Sequence, residues 1–108
     1  MTENSKKEYR NYDDLVIEQF SSDPSLANDF LEYSIAEYEK DGDEKLLLLA
    51  LKQVTLSKGG FQELSKNTGL SRESLYKTLS INGNPRLSTL QKILKALDYG
   101  IYFKHIEA

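Results

Sequence analysis

FQELSKNTGLSRESLYKTLS, residues 61–80, is the stretch that decides the fold class of this 108-residue chain. It contains two short helix-forming runs on either side of Gly69, a residue that adopts the positive φ of a tight turn without steric cost. Ser65 is small enough for a second helix to cross closely, and Ser71 can cap that helix. The apolar residues spaced to hold the crossing are Leu64, Leu70 and Leu75. The pattern predicts a helix-turn-helix motif at residues 61–80.

The sequence before this motif is also helical in pattern. Residues 12–42 carry two acidic segments with apolar residues at helical spacing, and Asp23, Pro24 and Gly42 supply start and stop signals. The next segment, EKLLLLALKQVTLSKG, follows Asp43, which can cap it. Because this segment is apolar almost all round, it predicts a buried central helix.

After the motif, INGNP is typical of a turn, and Ser88 with Gln91 forms a capping box that predicts the start of a last helix. The closing segment contains IYFKHI and predicts a short C-terminal strand at residues 100–108. A lone strand leaves backbone groups unpaired, so we expect it to pair with its copy in a dimer or with a strand of another protein.

The chain length allows one domain with a single core. We expect a flexible N-terminus at residues 1–11 and a single all-α domain at residues 12–108, apart from the short strand. The parts of that domain are acidic N-terminal helices at 12–42, a helix-turn-helix core at 43–99 and the strand at 100–108.

The net charge of −3 hides a strong asymmetry along the chain. Residues 1–44 hold 13 acidic and 4 basic side chains, whereas residues 45–108 hold 4 acidic and 10 basic ones. A sequence pI near 5.2 argues against a simple nucleic-acid binder, since such domains are usually basic. The segregation predicts two different partners, or one half that shields the other, unless the charges cluster by chance on solvated faces.

The composition argues against several classes of function. With no cysteine, the chain has no disulfide, no cysteine-ligated zinc and no thiol nucleophile. No apolar run approaches the roughly 20 residues that span a bilayer, and residues 1–14 lack the apolar region of a signal peptide. We therefore expect a cytoplasmic protein without membrane contact. His105 is the single histidine and has no partner nearby in sequence, and there is no metal-ligand cluster or phosphate-binding loop. We expect no enzyme activity, no cofactor and no metal.

Together with its flanks, the motif resembles a known family. Residues 61–103, most closely LSRESLYKTLS followed two residues later by GNPRLSTLQKILKAL, are similar to the helix-turn-helix of the phage-repressor (Xre-like) class. More narrowly, they resemble the probable addiction-module antidote proteins, relatives of the HigA antitoxins. The resemblance implies a phage-repressor-like helix-turn-helix bundle. It also implies an antitoxin that neutralises a RelE/ParE-like toxin of a type II toxin–antitoxin module, and that binds operator DNA as a homodimer to repress its own operon.

One departure from the phage-repressor pattern concerns the second helix of the motif. Thr78 occupies a position where that class has an apolar residue, and Leu79 follows it. The outward positions of the helix could therefore shift by one residue.

A recognition helix enters the major groove with its N-terminal residues at the base edges. Arg72 is the best candidate for base recognition because its guanidinium can bind guanine O6 and N7. Tyr76 has two possible roles, phosphate contact or, as we favour, packing against the last helix. The predicted DNA-binding residues lie on the second helix and around the motif: Arg72, Glu73, Ser74, Lys77, Gln62, Arg86, Asn84 and Lys58.

The acidic half is predicted to contact the toxin. Toxins that act on RNA have basic surfaces, so an acidic partner gains complementary potential and fast association. The predicted contacts are Tyr12, Asp13, Asp14, Glu32 and Glu37. The alternative is a solvated acidic face. Two other functions stay open, a stand-alone helix-turn-helix transcriptional regulator and a protein-binding module without DNA affinity.

Overall fold

The computed structural model describes residues 12–107 of the chain, and the predicted flexible segment 1–11 lies outside the described residues. In this range the protein is all-α, as predicted, and forms six helices. They are α1 Tyr12–Ser22, α2 Pro24–Asp41, α3 Lys45–Ser57, α4 Gly60–Thr68, α5 Arg72–Thr78 and α6 Leu87–Ala96. None of these helices combines the length and the apolar character needed to cross a bilayer.

The boundaries of α2 confirm the predicted start and stop signals. The Asp23 carboxylate accepts hydrogen bonds from the backbone N–H of Ser25 at 3.1 Å and from its hydroxyl at 2.7 Å. Pro24 occupies the first helical position, where no N–H is required. At the other end Gly42 has a φ of 72° and donates its N–H to the Tyr38 carbonyl, so the helix closes on a left-handed residue.

Helix α3 lies at the centre of the fold. Among the described helices, α1 and α2 contact each other and α3, whereas α4 contacts α3, α5 and α6. Leu48, Leu51 and Val54 of α3 are all at most 2% exposed, as its nearly all-round apolar sequence predicts. The two acidic helices thus pack directly on α3, and of the described helices that follow α3, α4 is the one that contacts it.

Helices α4 and α5 are joined by a tight turn at Gly69. The glycine has a φ of 78° and donates its N–H to the Ser65 carbonyl. The Ser65 hydroxyl donates to the Leu70 carbonyl, which ties the end of α4 to the turn. The Ser71 hydroxyl accepts from the Ser74 N–H at 3.1 Å and caps α5, as predicted.

The predicted start of α6 at Ser88 is wrong. The helix begins at Leu87, and the capping position belongs to Arg86, whose φ of −68° and ψ of 155° are extended. The Leu90 N–H therefore donates to the Arg86 carbonyl at 2.9 Å, and Ser88 lies inside the first turn. A capping box needs an extended serine before the helix, so Ser88 and Gln91 do not form one.

The predicted strand at residues 100–108 is also wrong, because residues 100–107 form no strand. Isoleucine, tyrosine and phenylalanine favour extended structure, but a strand also requires a neighbour to pair its backbone groups. No other strand exists within residues 12–107 to supply that pairing. The segment Gly100–Glu107 is exposed throughout, including the side chains of Ile101, Tyr102, Phe103 and Ile106.

Candidate nucleic-acid interface

Helix α5 has one buried face and one polar face. Leu75 is fully buried and Leu79, the residue that ends the helix, is 2% exposed, whereas Thr78 is half-buried. The phage-repressor pattern has a buried apolar residue at the position of Thr78. In this chain Leu79, the next residue, is the one that is buried. The four predicted DNA-binding residues on this helix are all exposed: Arg72, Glu73, Ser74 and Lys77.

The cationic groups of α5 are not engaged in ion pairs within the described structure. Neither Arg72 nor Lys77 forms an ion pair with any residue of the range 12–107. Lys77 lies in the last turn and Glu73 in the first turn, where each complements the helix dipole. The guanidinium and the ammonium are thus available to an anionic ligand.

A shallow groove runs from α5 to the turn that precedes α6. Ser74, Lys77 and Thr78 line it on the helix side. Asn82, Gly83 and Asn84 line it on the turn side, where Gly83 is buried and both asparagines are exposed. The structure therefore brings together three predicted residues, Ser74, Lys77 and Asn84. Arg86 and Gln62 are exposed but do not line this groove.

An acidic loop borders the same turn. The loop between α2 and α3, together with Asp41 and Lys45 on either side of it, lines a second open hollow with Ile81 to Asn84. The Asp43 carboxylate accepts from the Lys45 N–H at 3.0 Å, which supports the start of α3 much as predicted, although the capping position is Glu44. The carboxylates of this loop disfavour a phosphate on that side of the turn.

Lys58, another predicted DNA-binding residue, is engaged within the chain. Its ammonium donates to the Leu97 carbonyl at 3.0 Å and lies 5.4 Å from the centroid of the Tyr99 ring. A cation at this place stabilises the C-terminal end of α6. Lys58 thus has a structural role that spacing in the sequence did not reveal.

Tyr76 packs against α4, and the prediction that it packs against the last helix is wrong. Its ring stacks on that of Phe61, with centroids 4.1 Å apart and an angle of 17° between the planes. Phe61 is buried, whereas Tyr76 is 55% exposed. The contact arises because α5 packs on α4 and makes no comparable contact with α6. One face of the Tyr76 ring is covered, and much of the side chain stays open beside the polar face of α5.

The predicted toxin contacts lie on α1 and α2, which pack against α3. Asp14 and Glu32 are exposed on α1 and α2, and half-buried Glu37 pairs with Lys40 at 3.1 Å. The side chains of Tyr12 and Asp13 lie outside the described residues. The acidic residues and the polar face of α5 therefore lie on helices that make no direct contact with each other.

Tyr99 connects these two parts and was missed in the sequence. Its hydroxyl donates to the Asn28 side-chain carbonyl of α2, and its N–H donates to the Leu94 carbonyl of α6 at 2.8 Å. Burial raises the pKa of the Tyr99 phenol above its usual value, and the charges of Asp98 and Glu32 raise it further. The hydroxyl therefore stays protonated as a donor. No local pattern links residues 71 positions apart, so only the fold reveals this contact.

Comparison with known proteins gives two matches. A family model described as "probable addiction module antidote protein" matches residues 16–105. An uncharacterized protein of Haemophilus influenzae is 36% identical over 62 residues, which are 57% of this chain. The chain spans only 63% of the length of that relative. No solved structure matches the chain.

Proposed function

Because the chain belongs to the family of probable addiction module antidote proteins, we propose that it is the antitoxin of a type II toxin–antitoxin module. In this proposal it neutralises a RelE/ParE-like toxin. It also binds operator DNA as a homodimer through a phage-repressor-like, HigA-like helix-turn-helix, and so represses its own operon. An antidote implies a partner toxin, and the acidic surface of α1 and α2 suits a basic one.

The observation that carries the DNA-binding part is the polar face of α5. Leu75 and Leu79 hold the helix against the core, while Arg72 and Lys77 point outward and form no ion pair within residues 12–107. Those two cations have no packing function in the fold. A short helix that is anchored on one side and cationic on the other fits the geometry of a recognition helix.

The exposed residues divide into two roles. Arg72, in the first turn of α5, is assigned to a guanine edge, with Glu73 and Ser74 beside it for further base contacts. Lys77 and Asn84 share the groove and are assigned to the phosphate backbone. Gln62 and Arg86, which are exposed outside the groove, receive the same assignment. Lys58 supports α6 through Leu97, so we assign it a positioning role rather than a direct contact.

The charge distribution explains how an acidic protein could bind DNA. Residues 45–108 hold 10 basic and 4 acidic side chains, and α4 to α6 all lie in this half. The acidic helices α1 and α2 make no direct contact with α4, α5 or α6. Physiological salt weakens the repulsion between exposed charges beyond a Debye length of about 8 Å. Asp41, Asp43 and Glu44 line a hollow beside the proposed DNA-binding face, and Glu73 lies on α5 itself.

Arg72→Ala is expected to weaken specific operator binding by about 1–3 kcal/mol and to relax sequence preference at one base pair. Arg86→Ala is expected to weaken binding to all sequences alike and to lower the magnitude of the salt slope by about two, because each copy of the homodimer loses one phosphate contact. The measurement is fluorescence anisotropy with operator and scrambled duplexes at several salt concentrations. Lys40→Ala is the matched control, since it removes an exposed cation from α2 and should change neither affinity. Unchanged operator affinity in Arg72→Ala would remove that residue from base recognition.

The acidic loop next to the groove favours one rival function, a protein-binding module that has the helical scaffold but no DNA affinity. A stand-alone transcriptional regulator is the other alternative. Salt-dependent binding to the promoter of its own gene separates the first rival from our proposal. The second rival, a stand-alone regulator, has no toxin partner. A neighbouring gene whose small basic product is neutralised by this chain would therefore favour our proposal over it.

A further inference from the structure

The segment Gly100–Glu107, which follows α6, exposes large apolar side chains. Ile101 is 42% exposed, Ile106 84%, Tyr102 89% and Phe103 101%. Among residues 12–107, no group of the segment 101–107 forms a hydrogen bond to the rest of the chain. Contiguous apolar exposure of this kind is uncommon on a monomeric protein and indicates a binding surface. We call Gly100–Glu107 the docking segment.

The root of the docking segment is fixed. Tyr99 donates its hydroxyl to Asn28 of α2 and its N–H to Leu94 of α6, and the Lys58 ammonium lies over its ring. The segment therefore leaves the fold at a defined place beside α2, although residues 101–107 form no hydrogen bond to the rest of the described chain. A fixed root lowers the conformational entropy that ordering the segment on a partner would cost.

The side of α2 where the segment is rooted continues as an acidic and apolar stripe. Glu32, Ile35 and Glu39 follow Asn28 at i+4, i+7 and i+11, so all four lie on one side of the helix. Ile35 is 41% exposed, and both glutamates are exposed without an ion pair to any residue in 12–107. We call Glu32, Ile35 and Glu39 the α2 stripe.

We propose that the docking segment and the α2 stripe form one surface that binds a basic partner protein, the toxin of the module. The docking segment adds as a strand to an open edge of the partner's sheet, and the α2 stripe contacts basic side chains beside that edge. This proposal rests on the antitoxin function proposed above and assigns the surface that carries it.

The composition of the docking segment fits strand addition. Ile101 and Phe103 would point to one face of an added strand, and Tyr102, Lys104 and Ile106 to the other. β-branched and aromatic residues are favoured in strands. The backbone groups, which are unpaired within the described chain, would supply hydrogen bonds to the partner, and the alternating side chains would supply specificity.

Charge favours a basic partner over a second copy of this chain. Residues 12–44 hold 11 acidic side chains and one basic one. A two-fold contact between copies uses the same patch on both, so it would place one α2 stripe close to the other and oppose like charges. A basic surface avoids that repulsion and accelerates association.

The test uses a variant truncated after Gly100, which keeps Tyr99 and its contacts. Its binding to the purified product of the adjacent toxin gene is measured and compared with that of the full chain. We expect the truncated chain to bind this protein roughly tenfold or more weakly, since buried aromatic anchors dominate interfaces. Its melting temperature and operator affinity should match those of the full chain. Glu32→Lys with Glu39→Lys should slow association and reduce its salt dependence, whereas Glu63→Lys on α4 is the matched control.

Three results would overturn the proposal, and they differ from one another. Truncation that leaves toxin affinity unchanged shows that the docking segment takes no part, while the antitoxin function stands. Truncation that turns a dimer into a monomer without weakening toxin binding shows that the segment pairs with its own copy. If the full chain itself fails to bind the toxin, the proposed function fails and this proposal fails with it.

Discussion

Gly83→Ala is expected to destabilise the fold by about 3 kcal/mol, near the upper end of the cost of overpacking. A Cβ at this position would lie 2.0 Å from the Thr78 carbonyl oxygen and 3.0 Å from that of Ser80. Both are backbone atoms, so no side chain can rotate away to relieve the clash. The glycine N–H also donates to the Ser80 carbonyl at 2.8 Å, and this bond would break if the turn opened.

Gly100→Ala is the matched control for this substitution. Its Cβ would meet the Tyr102 ring at 3.4 Å, which is an ordinary contact with an exposed side chain, so the change should stay within about 0.5 kcal/mol. Urea unfolding followed by circular dichroism measures both variants. A Gly83→Ala protein as stable as the wild type would contradict the turn geometry at residues 78–83. Because Gly83 lines the groove beside α5, we also expect this variant to lose operator affinity.

Leu75→Ala is expected to lower the free energy of unfolding by about 2–5 kcal/mol. Leu75 is fully buried and, together with Leu79, anchors α5 in the core. Small domains are stable by only about 5–15 kcal/mol in total, so this one change removes a large part of the stability. The loss combines the transfer energy of the deleted methyl groups with the cavity that they leave.

The control for Leu75 is Leu87→Ala. Leu87 is 71% exposed at the start of α6, so its truncation should change the unfolding free energy by less than about 0.5 kcal/mol. Thermal and chemical unfolding of the two variants, side by side, measure the difference. A Leu75→Ala variant that loses less than Leu87→Ala would show that α5 is not anchored by this residue.

Sequence patterns predicted the features that depend on neighbouring residues. Asp23, Gly42, Gly69 and Ser71 all occupy the capping positions expected of them, because a cap bonds to backbone groups two to four residues away. The composition around α3 likewise predicted a buried helix. In the sequence, Thr78 left open whether the outward face of α5 is shifted by one residue. The burial of Leu75 and Leu79 in the structure decides the orientation of this helix.

The features that sequence patterns missed depend on distant parts of the chain or on partners. The stack of Tyr76 on Phe61 and the hydrogen bond from Tyr99 to Asn28 join residues whose proximity only packing decides. The strand prediction failed because propensity describes a residue's preference but does not supply a pairing neighbour. The start of α6 was misplaced because the extended residue at the capping position is Arg86, whose side chain forms no capping hydrogen bond. Its sequence therefore gives no capping signal.

The most direct test of the proposed function is titration of the full chain with its own promoter DNA over a range of salt concentrations. We expect binding to the promoter about 10³-fold or more tighter than to random DNA. Its affinity should fall with salt at a log–log slope of about −4, since Lys77 and Arg86 from each of two copies would contact about four phosphates. Equal affinity for promoter and random DNA, or no binding at about 50 mM salt, where such contacts are strongest, would contradict the proposed repressor function.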